Sequence, residues 1–498
     1  MGIDAGTSGC KVAVYDAAGR RLAGAVEKYQ PTYPQPGWIE LDAEVVFAAV
    51  QKAMAVVLDQ TSQHTLAAIS VSSQGEAIIP VDGNFNALAP AIVTFDNRTT
   101  PYVDFWEQRL GRSRIYEITG VPLHGIFSIN KILWFRDHRP EIFQKTHKFL
   151  CFDAFILARL GAKPSTDPSM AGKTMMMDLA SRKWSKEILD AAGLRADLLP
   201  EINEAGTVVG RTPQGTSLVQ GGHDQVAGAL GCGIVGQGQA AWSIGTTTCL
   251  TPCYTERRCS KLLMDNHLLT YPYLLADTYA TNAFNFTGGI LFDWCLNEFF
   301  RYETETCAAR GEDKYRYVFG QLPSDPSPLF VLPYFAISGT PHLETRPMGA
   351  ILNLSLSTTK WDILKAVLEA IVYEIRLNVD ILDAVQSPIR ELRVIGGATH
   401  SPIWMQLCVD ILGRDIFTVE STDDAACRGV ALLGVAALEG KEVRSLAAAW
   451  TKIDRRYTPD PVRRDIYAEK IREYSKIYPA LKRIRWTPES GSITRTRK

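Results

Sequence analysis

The sequence predicts an α/β protein built from two related domains with a cleft between them. Segments with strand-like and helix-like patterns alternate along most of the chain. The 498 residues exceed what one ordinary hydrophobic core contains, so two domains of roughly 200–250 residues each are expected. The two halves also begin with the same order of elements: a strand, a Gly-Thr break and a returning strand.

The first half opens with a short strand around Ile3 that breaks at Gly6-Thr7-Ser8-Gly9. A buried strand over residues 66–71 ends in the polar stretch Ser72-Ser73-Gln74-Gly75-Glu76. The other elements predicted for this half are strands over 11–15, 21–29 and 91–95 and a helix over 43–58.

The second half repeats this order. A strand over residues 239–244 breaks at Gly245-Thr246-Thr247-Thr248 and returns over 249–251. Apolar residues at helical spacing predict a long helix over 363–382. The strand that follows, residues 391–395, ends in Gly396-Gly397-Ala398-Thr399, so this half also carries a strand that ends in small or polar residues.

Composition argues against several classes of protein. Hydrophobic residues make up 46% and charged residues 21%, and the net charge is −1, so neither a nucleic-acid nor a membrane partner is expected. No apolar run is long enough to span a bilayer, and the first residues lack the apolar core of a signal peptide. The ten cysteines contain no C-x-x-C pair, which favours reduced thiols over a zinc site and predicts a cytoplasmic protein.

The two Gly-Thr breaks are suited to binding phosphate. A turn without bulky side chains exposes successive backbone N–H groups, which together with threonine hydroxyls can hold phosphate oxygens. One such turn alone is more often only a tight turn. Two of them, one at the start of each half, predict a polyphosphate bound between the domains.

The stretch VQGGHDQVAGALGCG, residues 219–233, places Asp224 where a turn meets a buried helix. An aspartate at this point can cap the helix, because its side chain accepts a hydrogen bond from a free backbone N–H. The same carboxylate can instead serve a reaction in the cleft. The stretch taken alone favours capping and leaves both interpretations open.

Several motifs occur in order from Asp4 to about Gly440 and together resemble the FGGY family of carbohydrate kinases, within the sugar kinase, Hsp70 and actin superfamily. They are a phosphate motif at Asp4–Ser8, a first signature at Ser128–Phe135 with Lys131 and Trp134, a catalytic motif at Gly222–Gln225, a second signature from Gly349 to Glu369 and an adenosine motif at Gly396–Trp404.

This resemblance implies two ribonuclease H-like domains of the actin-like ATPase type, with a cleft for nucleotide and sugar between them. We expect an N-terminal domain over residues 1–219, a C-terminal domain over 220–456 and a basic helix and tail over 457–498. ATP and Mg²⁺ are the implied cofactors. Asp224 is the implied general base, and Asp4 is the implied Mg²⁺ ligand through water.

The resemblance also implies the residues that contact ATP. They are residues of the two turns, two glycine pairs and their neighbours: Gly6, Thr7, Ser8, Lys11, Gly245, Thr246, Thr247, Gly288, Gly289, Gly396, Gly397, Ala398 and Ser401. For Gly288 and Gly289, a structural role as turn glycines is an equal alternative.

The sugar pocket is expected at strand ends of the first half, where α/β proteins place ligand contacts. The candidate contacts are Gln74, Glu76, Phe95, Asp96, Arg98 and Gln225, with Phe95 as an apolar wall. A surface ion pair is the alternative for Asp96 and Arg98.

The motifs give conflicting indications of which sugar or polyol is the substrate. Xylulokinases usually carry Gln-Met-His where this chain has Gln74-Gly75-Glu76, whereas glycerol kinases carry Gln-Arg-Glu there and Asp-Gln at the catalytic site. The stretch FVLPYFAISGTP, residues 330–341, resembles the xylulokinase branch, so we expect a ketopentose such as xylulose or ribulose. Glycerol or a tetritol is the alternative substrate, and a non-kinase ATPase or sensor is the alternative class. A homodimer is compatible with the sequence.

Some features depart from the family pattern or extend beyond it. Asn353 replaces a usual glycine, Ile126 is atypical, and the first strand is short, which predicts a weak sheet edge near Asp4. The segment 455–498 has 13 basic and 5 acidic residues, but its apolar residues recur at helical spacing. It therefore predicts an amphipathic helix docked on the body rather than a nucleic-acid site.

Overall fold

The structure is a computed structural model, and it describes residues 1–343, 348–385, 388–420 and 423–484. The strands of the first half are β1 (Gly2–Ala5), β2 (Gly9–Tyr15), β3 (Arg21–Lys28), β4 (Glu40–Leu41), β5 (Ala68–Ser73), β6 (Ile79–Val81), β7 (Ala91–Ile92), β8 (Lys148–Leu150), β9 (Ser165–Thr166), β10 (Met177–Asp178), β11 (Lys183–Trp184), β12 (Glu201–Ile202), β13 (Val208–Arg211) and β14 (Ser217–His223). Those of the second half are β15 (Gln239–Ile244), β16 (Thr248–Tyr254), β17 (Tyr271–Pro272), β18 (Tyr279–Ala280), β19 (Ala283–Asn285), β20 (Phe330–Leu332), β21 (Ala350–Leu352), β22 (Glu391–Ile395), β23 (Ile416–Val419) and β24 (Ile453–Tyr457).

Helices connect and cover these strands. They are α1 (Ala43–Gln60), α2 (Tyr102–Arg109), α3 (Arg112–Thr119), α4 (Ser128–His138), α5 (Pro140–Lys145), α6 (Phe152–Leu160), α7 (Pro168–Gly172), α8 (Lys186–Ala192), α9 (Asp224–Gly231), α10 (Lys261–Asp265), α11 (Gly289–Phe299), α12 (Arg301–Arg310), α13 (Lys314–Gly320), α14 (Lys360–Val385), α15 (Pro402–Leu412), α16 (Ala425–Glu439), α17 (Val443–Trp450) and α18 (Pro461–Leu481). Short 3₁₀ turns occur at Ala196–Leu198 and Gly397–His400.

Two large sheets, one in each half, share a common strand pattern. The six-stranded first sheet runs β13-β14-β5-β1-β2-β3, with β1 antiparallel to β2 and parallel to β5. The eight-stranded second sheet runs β17-β18-β16-β15-β22-β23-β24, with β19 also paired to β16. In it, β15 is antiparallel to β16 and parallel to β22. The repeated order read from the sequence is therefore confirmed as a repeated topology.

The same correspondence extends to the helices that flank the cleft. Helix α9 follows the last parallel strand of the first sheet, β14, and α16 follows the equivalent strand of the second sheet, β23. The two helices pack against each other, and α16 also packs on β1, β5 and β14 of the first sheet. The chain thus crosses between the halves at the base of the cleft, and α9 starts at the cleft wall.

Local sequence explains several helix boundaries. The Asp42 carboxylate caps α1 by accepting hydrogen bonds from the backbone N–H groups of Glu44 and Val45. The Ser401 hydroxyl caps α15 by accepting from the N–H of Trp404, and Pro402 is the first helical residue. Helix α1 then buries one apolar face against the first sheet, whereas α15 is buried over most of its surface and packs against α14 and α18.

Two expectations need correction, and the domain boundary stays a prediction. The strand predicted over 91–95 ends at Ile92, and it pairs with β4 rather than with the first sheet. The predicted boundary between residues 219 and 220 falls inside β14, a strand of the first sheet, although the division into domains stays a prediction. The strand that carries Asp4 is not a sheet edge, because β1 pairs with β2 on one side and β5 on the other.

The basic tail forms the predicted docked helix as far as the structure describes it. Helix α18 buries Tyr467, Ile471, Tyr474 and Tyr478 and packs against α14 and α15. The remainder of the predicted tail, residues 485–498, lies outside the described residues. Within the described ranges, no helix combines the length and apolar character that crossing a membrane requires.

Candidate active site

Three neighbouring cavities lie at the cleft: two are lined by residues of both halves, and the third is lined by residues of the second half alone. The central cavity, about 330 Å³, is lined by Asp4, Lys11, Asp224, Gly245 and Gly396 among others. The aromatic cavity, about 680 Å³, is lined by Phe292, Tyr315, Phe319, Ala398, Ser401 and Trp404 among others. The polar cavity, about 200 Å³, is lined by Gln74, Glu76, Phe95, Lys173 and His223 among others.

The cavities share walls. Asp224 and Gln225 line both the central and the polar cavity. Gly245 and Gly397 line both the central and the aromatic cavity. A ligand that extends from the aromatic cavity through the central one therefore ends beside Asp224, and a second ligand in the polar cavity approaches Asp224 from the other side.

Asp224 is positioned by the junction of β14 and α9. The helix N-cap is His223, whose side chain makes no capping hydrogen bond, and Asp224 is the first helical residue. The Asp224 side chain is 22% exposed, and its Oδ1 lies 3.3 Å from Nε2 of His223. The interpretation of Asp224 as the helix cap is therefore wrong, and its carboxylate faces the cleft.

Burial and neighbouring charges shift the pKa values of Asp224 and His223. Burial raises the pKa of the Asp224 carboxyl, and the negative charges of Asp4 and Glu76 raise this pKa further. Burial, helped by the positive charge of Lys173, holds the pKa of His223 well below its usual range, so the imidazole is neutral. The Nδ1 atom of His223 lies 3.4 Å from the hydroxyl of Tyr271.

The first turn closes beside Asp4. The N–H of Gly6 donates to the carbonyl of Gly9 at 3.0 Å, and the carbonyl of Gly6 accepts from the Tyr29 hydroxyl at 2.8 Å. Asp4 lies at the cleft end of β1 and accepts a hydrogen bond from Ser72 Oγ at 2.9 Å. Burial raises the pKa of Asp4, while the Ser72 hydrogen bond and the positive charge of Lys11 act in the opposite direction. Ser8 is exposed at the tip of this turn.

Lys11 connects the two halves at the central cavity. Its Nζ donates to the backbone carbonyl of Asp423 at 2.5 Å, and both residues line the central cavity. Lys11 is thus a cation at the cleft wall opposite α9.

The second turn is braced by the Gly288-Gly289 pair. The N–H of Gly245 donates to the carbonyl of Thr247 at 3.0 Å, and the N–H of Gly289 donates to the carbonyl of Gly245 at 2.8 Å. Thr246 and Gly289 line the aromatic cavity, whereas Thr247 lines the polar one. Gly288 is not among the residues that line the aromatic cavity, and it is the N-cap of α11.

The aromatic cavity has walls suited to a flat ring. Phe292 stacks on Phe319 with ring centroids 5.4 Å apart, and both contact Trp404 at 5.8 Å. Gly397, Ala398 and Ser401 form the opposite wall at the end of β22. Such a cavity accepts a heterocyclic base, with the glycine turn leading toward the central cavity.

The polar cavity is organised around Gln74 and Glu76. Gln74 Oε1 accepts a hydrogen bond from Thr7 Oγ1 at 3.1 Å, which ties this cavity to the first turn. Glu76 has a φ of 59°, in the left-handed region, and its carbonyl accepts from Lys131 Nζ at 2.6 Å. Burial lowers the pKa of Lys131 to about 8. Phe95 is partly exposed and contacts Phe286 of the second half edge-to-face at 5.1 Å.

Asp96 and Arg98 lie outside the polar cavity. The two side chains form a buried ion pair at 2.7 Å, and Arg98 also pairs with Glu40 at 2.8 Å. The Arg98 guanidinium lies over the rings of both Trp38 and Trp134, at 3.9 and 4.8 Å from their centroids. Neither residue lines the polar cavity, and the alternative of a surface pair does not apply because both are buried.

Sequence reasoning missed one charged residue of the polar cavity. Lys173 follows α7 and is 7% exposed at its side chain, and its Nζ lies 2.7 Å from Glu76 Oε1. Its signal in the sequence is a single lysine within the apolar stretch MAGKTMMM, which folds into the interior. Asn282 and Asn285, from the second half, also line this cavity and were not predicted.

Comparison with models of protein families identifies the family of this chain. The model described as "FGGY family of carbohydrate kinases, N-terminal domain" matches residues 1–231, and the corresponding C-terminal domain model matches residues 240–438. The chain belongs to the FGGY family of carbohydrate kinases. It is therefore a sugar kinase, a phosphotransferase with an alcohol group as acceptor, and kinases of this family use ATP as co-substrate.

Relatives with different substrates are about equally similar to this FGGY kinase. It is 27% identical to a xylulose kinase of Escherichia coli, over 97% of this chain and 99% of the relative. It is 26% identical to a gluconokinase of Bacillus subtilis, over 96% and 94%. The crystal structure of Plasmodium falciparum glycerol kinase with ADP superposes with a TM-score of 0.85 at 21% identity, over 97% and 98%. The fold is thus that of the actin-like ATPases, and the sugar is not fixed by similarity.

Proposed function

We propose that this FGGY kinase transfers the γ-phosphate of ATP to a hydroxyl of a small ketopentose, with Asp224 as the general base. The observation that carries the proposal is that Asp224 lines both the central and the polar cavity. A sugar in the polar cavity and a phosphate in the central cavity then meet at this carboxylate, which accepts the proton of the attacking hydroxyl.

The other groups hold the nucleotide in this proposal. The base of ATP occupies the aromatic cavity, and the phosphates pass between the two turns toward Lys11. Backbone N–H groups of the turns and the hydroxyls of Thr7, Thr246 and Thr247 contact the phosphate oxygens. In phosphoryl transfer the protein mainly positions the reactants and neutralises charge, so these contacts supply most of the rate enhancement.

The carboxylates of the central cavity fit a magnesium ion. Asp4 and Asp224 both line it, and the burial that raises their pKa values also favours compensation by a cation. In the part of the chain that the structure describes, no cluster of three His, Cys, Asp or Glu side chains could hold a metal. Mg²⁺ suits this arrangement, because it keeps water ligands and shares phosphate oxygens. Asp4 would hold the ion through water, and the ion would neutralise phosphate charge.

The experiment is an ADP-release screen with the purified protein over ketopentoses, aldoses, glycerol, tetritols and sugar acids, each with ATP and Mg²⁺. We expect one uncharged sugar or polyol to raise ADP release well above background and to yield a phosphorylated product. The Asp224→Asn variant is the matched control and should abolish the increase. If no compound raises ADP release, the proposal is wrong. If glycerol or a tetritol is preferred, the ketopentose part is wrong.

A further inference from the structure

The polar cavity contains a buried ion pair held by both halves of the molecule. Lys173 Nζ lies 2.7 Å from Glu76 Oε1, and the two side chains are 7% and 5% exposed. The second carboxylate oxygen, Oε2, accepts a hydrogen bond from Thr94 Oγ1 at 3.1 Å. The ammonium lies 5.4 Å from the ring centroid of Tyr271, which belongs to the second sheet. The pair is therefore fixed in place at the proposed sugar site.

The missing side chain at Gly75 creates the space for this lysine. A Cβ atom on residue 75 would lie 3.0 Å from Cδ2 and Nε2 of His223 and 3.3 Å from Cε of Lys173. These distances are tighter than ordinary van der Waals contacts, so a larger residue would displace the histidine or the lysine. Gly75, Lys173 and His223 thus form one packed unit between Glu76 and Asp224.

The lysine of the polar cavity already has a partner. Lys173 is the only lysine or arginine among the described residues that line it, and Glu76 already pairs with it. The His223 imidazole is neutral, and Asp224 and His267 also line the cavity. A substrate carboxylate here would meet the Glu76 carboxylate and an ammonium that already has a partner, which disfavours its binding.

Hydroxyl groups suit the same ion pair. A hydroxyl accepts a hydrogen bond through its lone pairs and donates another through its proton. One hydroxyl of a sugar can accept from the Lys173 ammonium while its neighbour donates to the Glu76 carboxylate. The pair is therefore complementary to two adjacent hydroxyls, and both contacts are charge-assisted.

We propose, on the basis of the sugar kinase function above, that the Lys173–Glu76 pair is a specificity element that selects uncharged substrates with adjacent hydroxyls and rejects sugar acids. The distinction matters in this family, because xylulose kinases and gluconokinases are similarly close relatives of the chain.

Four variants test the proposal: Glu76→Gln, Lys173→Met, Lys173→Arg and the surface control Lys163→Met. For each we would measure kcat/KM with the preferred uncharged sugar and with the aldonic acid of the same carbon number. Glu76→Gln leaves the ammonium without its carboxylate, so the acid-to-neutral ratio should rise at least tenfold. Lys173→Met should lower kcat/KM for the neutral sugar at least tenfold without raising that ratio, and Lys173→Arg should retain the neutral preference.

The outcomes separate this inference from the proposed function. A wild-type enzyme that phosphorylates the sugar acid as well as the neutral sugar would overturn the inference but leave the kinase function intact. An acid-to-neutral ratio within twofold of wild type in a folded Glu76→Gln protein would do the same. Wild-type inactivity on every compound would refute both. Melting temperatures identify variants that do not fold, and calorimetric titration of sugar into Lys173→Met then measures the loss of binding directly.

Discussion

Asp224 is a partly buried carboxyl group close to the negative charges of Asp4 and Glu76, and this environment should lower the stability of the fold. Burial raises its pKa above the value in an unfolded chain, so folding favours the protonated form. Stability linked to this group is therefore greatest at low pH and is lost as the pH rises through the raised pKa. The proposed role of Asp224 as general base nevertheless requires the ionised form, because only that form can take a proton.

The substitution Asp224→Asn tests the effects of this carboxyl group on both catalysis and stability. The chemical step should slow by roughly 10²–10⁴-fold, because the amide cannot accept the hydroxyl proton. The melting temperature at pH 8 should equal or exceed that of the wild type, because a buried negative charge near Asp4 is removed. ADP affinity should change little. A folded variant with more than about a tenth of the wild-type turnover would remove Asp224 from the mechanism.

The pH dependence of activity should reveal how neighbouring charges shift the pKa of Asp224. Its raised pKa predicts that the acid limb of the kcat/KM profile lies above the range of an ordinary aspartate, about 3.9. Lys173→Met removes a positive charge and should move this limb to higher pH, whereas Glu76→Gln removes a negative charge and should move it to lower pH. Profiles that coincide for all three proteins would show that these charges do not act on the base.

Single residues also show where sequence reasoning succeeds and where it stops. Asn353 departs from the glycine usual in its motif, and the structure places it at a φ of 67°, a conformation that asparagine tolerates. Asp4 and Asp224 were predicted from short motifs, and the structure places both at the central cavity, where their roles remain predictions. Lys173 was missed because its partner Glu76 lies 97 residues away and no local pattern joins them. Arg98 was misplaced because its contacts with the rings of Trp38 and Trp134 are equally non-local.

The crossing of α9 and α16 is the structural element that connects the two halves behind Asp224. A Cβ on Gly429 of α16 would lie 2.0 Å from the carbonyl oxygen of Ala227 in α9. A Cβ on Gly231 of α9 would lie 1.9 Å from the carbonyl oxygen of Ala425 in α16. The backbones of the two helices therefore touch at both points, and only glycine fits there. The position of the α9 start, and so of Asp224, depends on this contact.

Gly429→Ala should push the two helices apart. We expect a loss of about 1–3 kcal/mol of stability from overpacking, with a melting temperature lower by about 2–4 °C per kcal/mol. Turnover should fall more than sugar affinity, because the base moves relative to the phosphate. Gly320→Ala is the matched control, since a Cβ there meets nothing within 4 Å. A Gly429→Ala protein with wild-type melting temperature and turnover would show that the crossing tolerates extra volume.

The sequence predicts local elements better than elements that depend on distant parts of the chain, for a physical reason. The hairpins β1–β2 and β15–β16 are local, so their Gly-Thr breaks and alternating strands identify them directly. The strand predicted over 91–95 was overextended, because an apolar run cannot reveal that only Ala91 and Ile92 find a partner, in β4. The crossing of α9 and α16 joins segments about 200 residues apart, and the glycines that permit it resemble ordinary helix glycines in the sequence.

Across the whole molecule, the two halves meet at the cleft through a few side chains. Phe95 of the first half contacts Phe286 of the second beside the polar cavity, and Lys11 contacts the backbone of Asp423 beside the central one. Both Gly-Thr turns end at the cleft, one from each sheet. In the proposed function one nucleotide contacts both turns, which requires the halves to approach it together, so binding would favour the closed arrangement.

We therefore predict that the two halves close on the ternary complex. Closure would bring both turns onto the phosphates and exclude water, which limits hydrolysis of ATP without sugar. Asp224→Asn allows the test with ATP and sugar themselves, because the reactants persist in its active site. Small-angle scattering should give a smaller radius of gyration for this variant with both ligands than with either alone. Equal radii in all three states would mean that the cleft is already closed or that the halves do not move, and the prediction would be wrong.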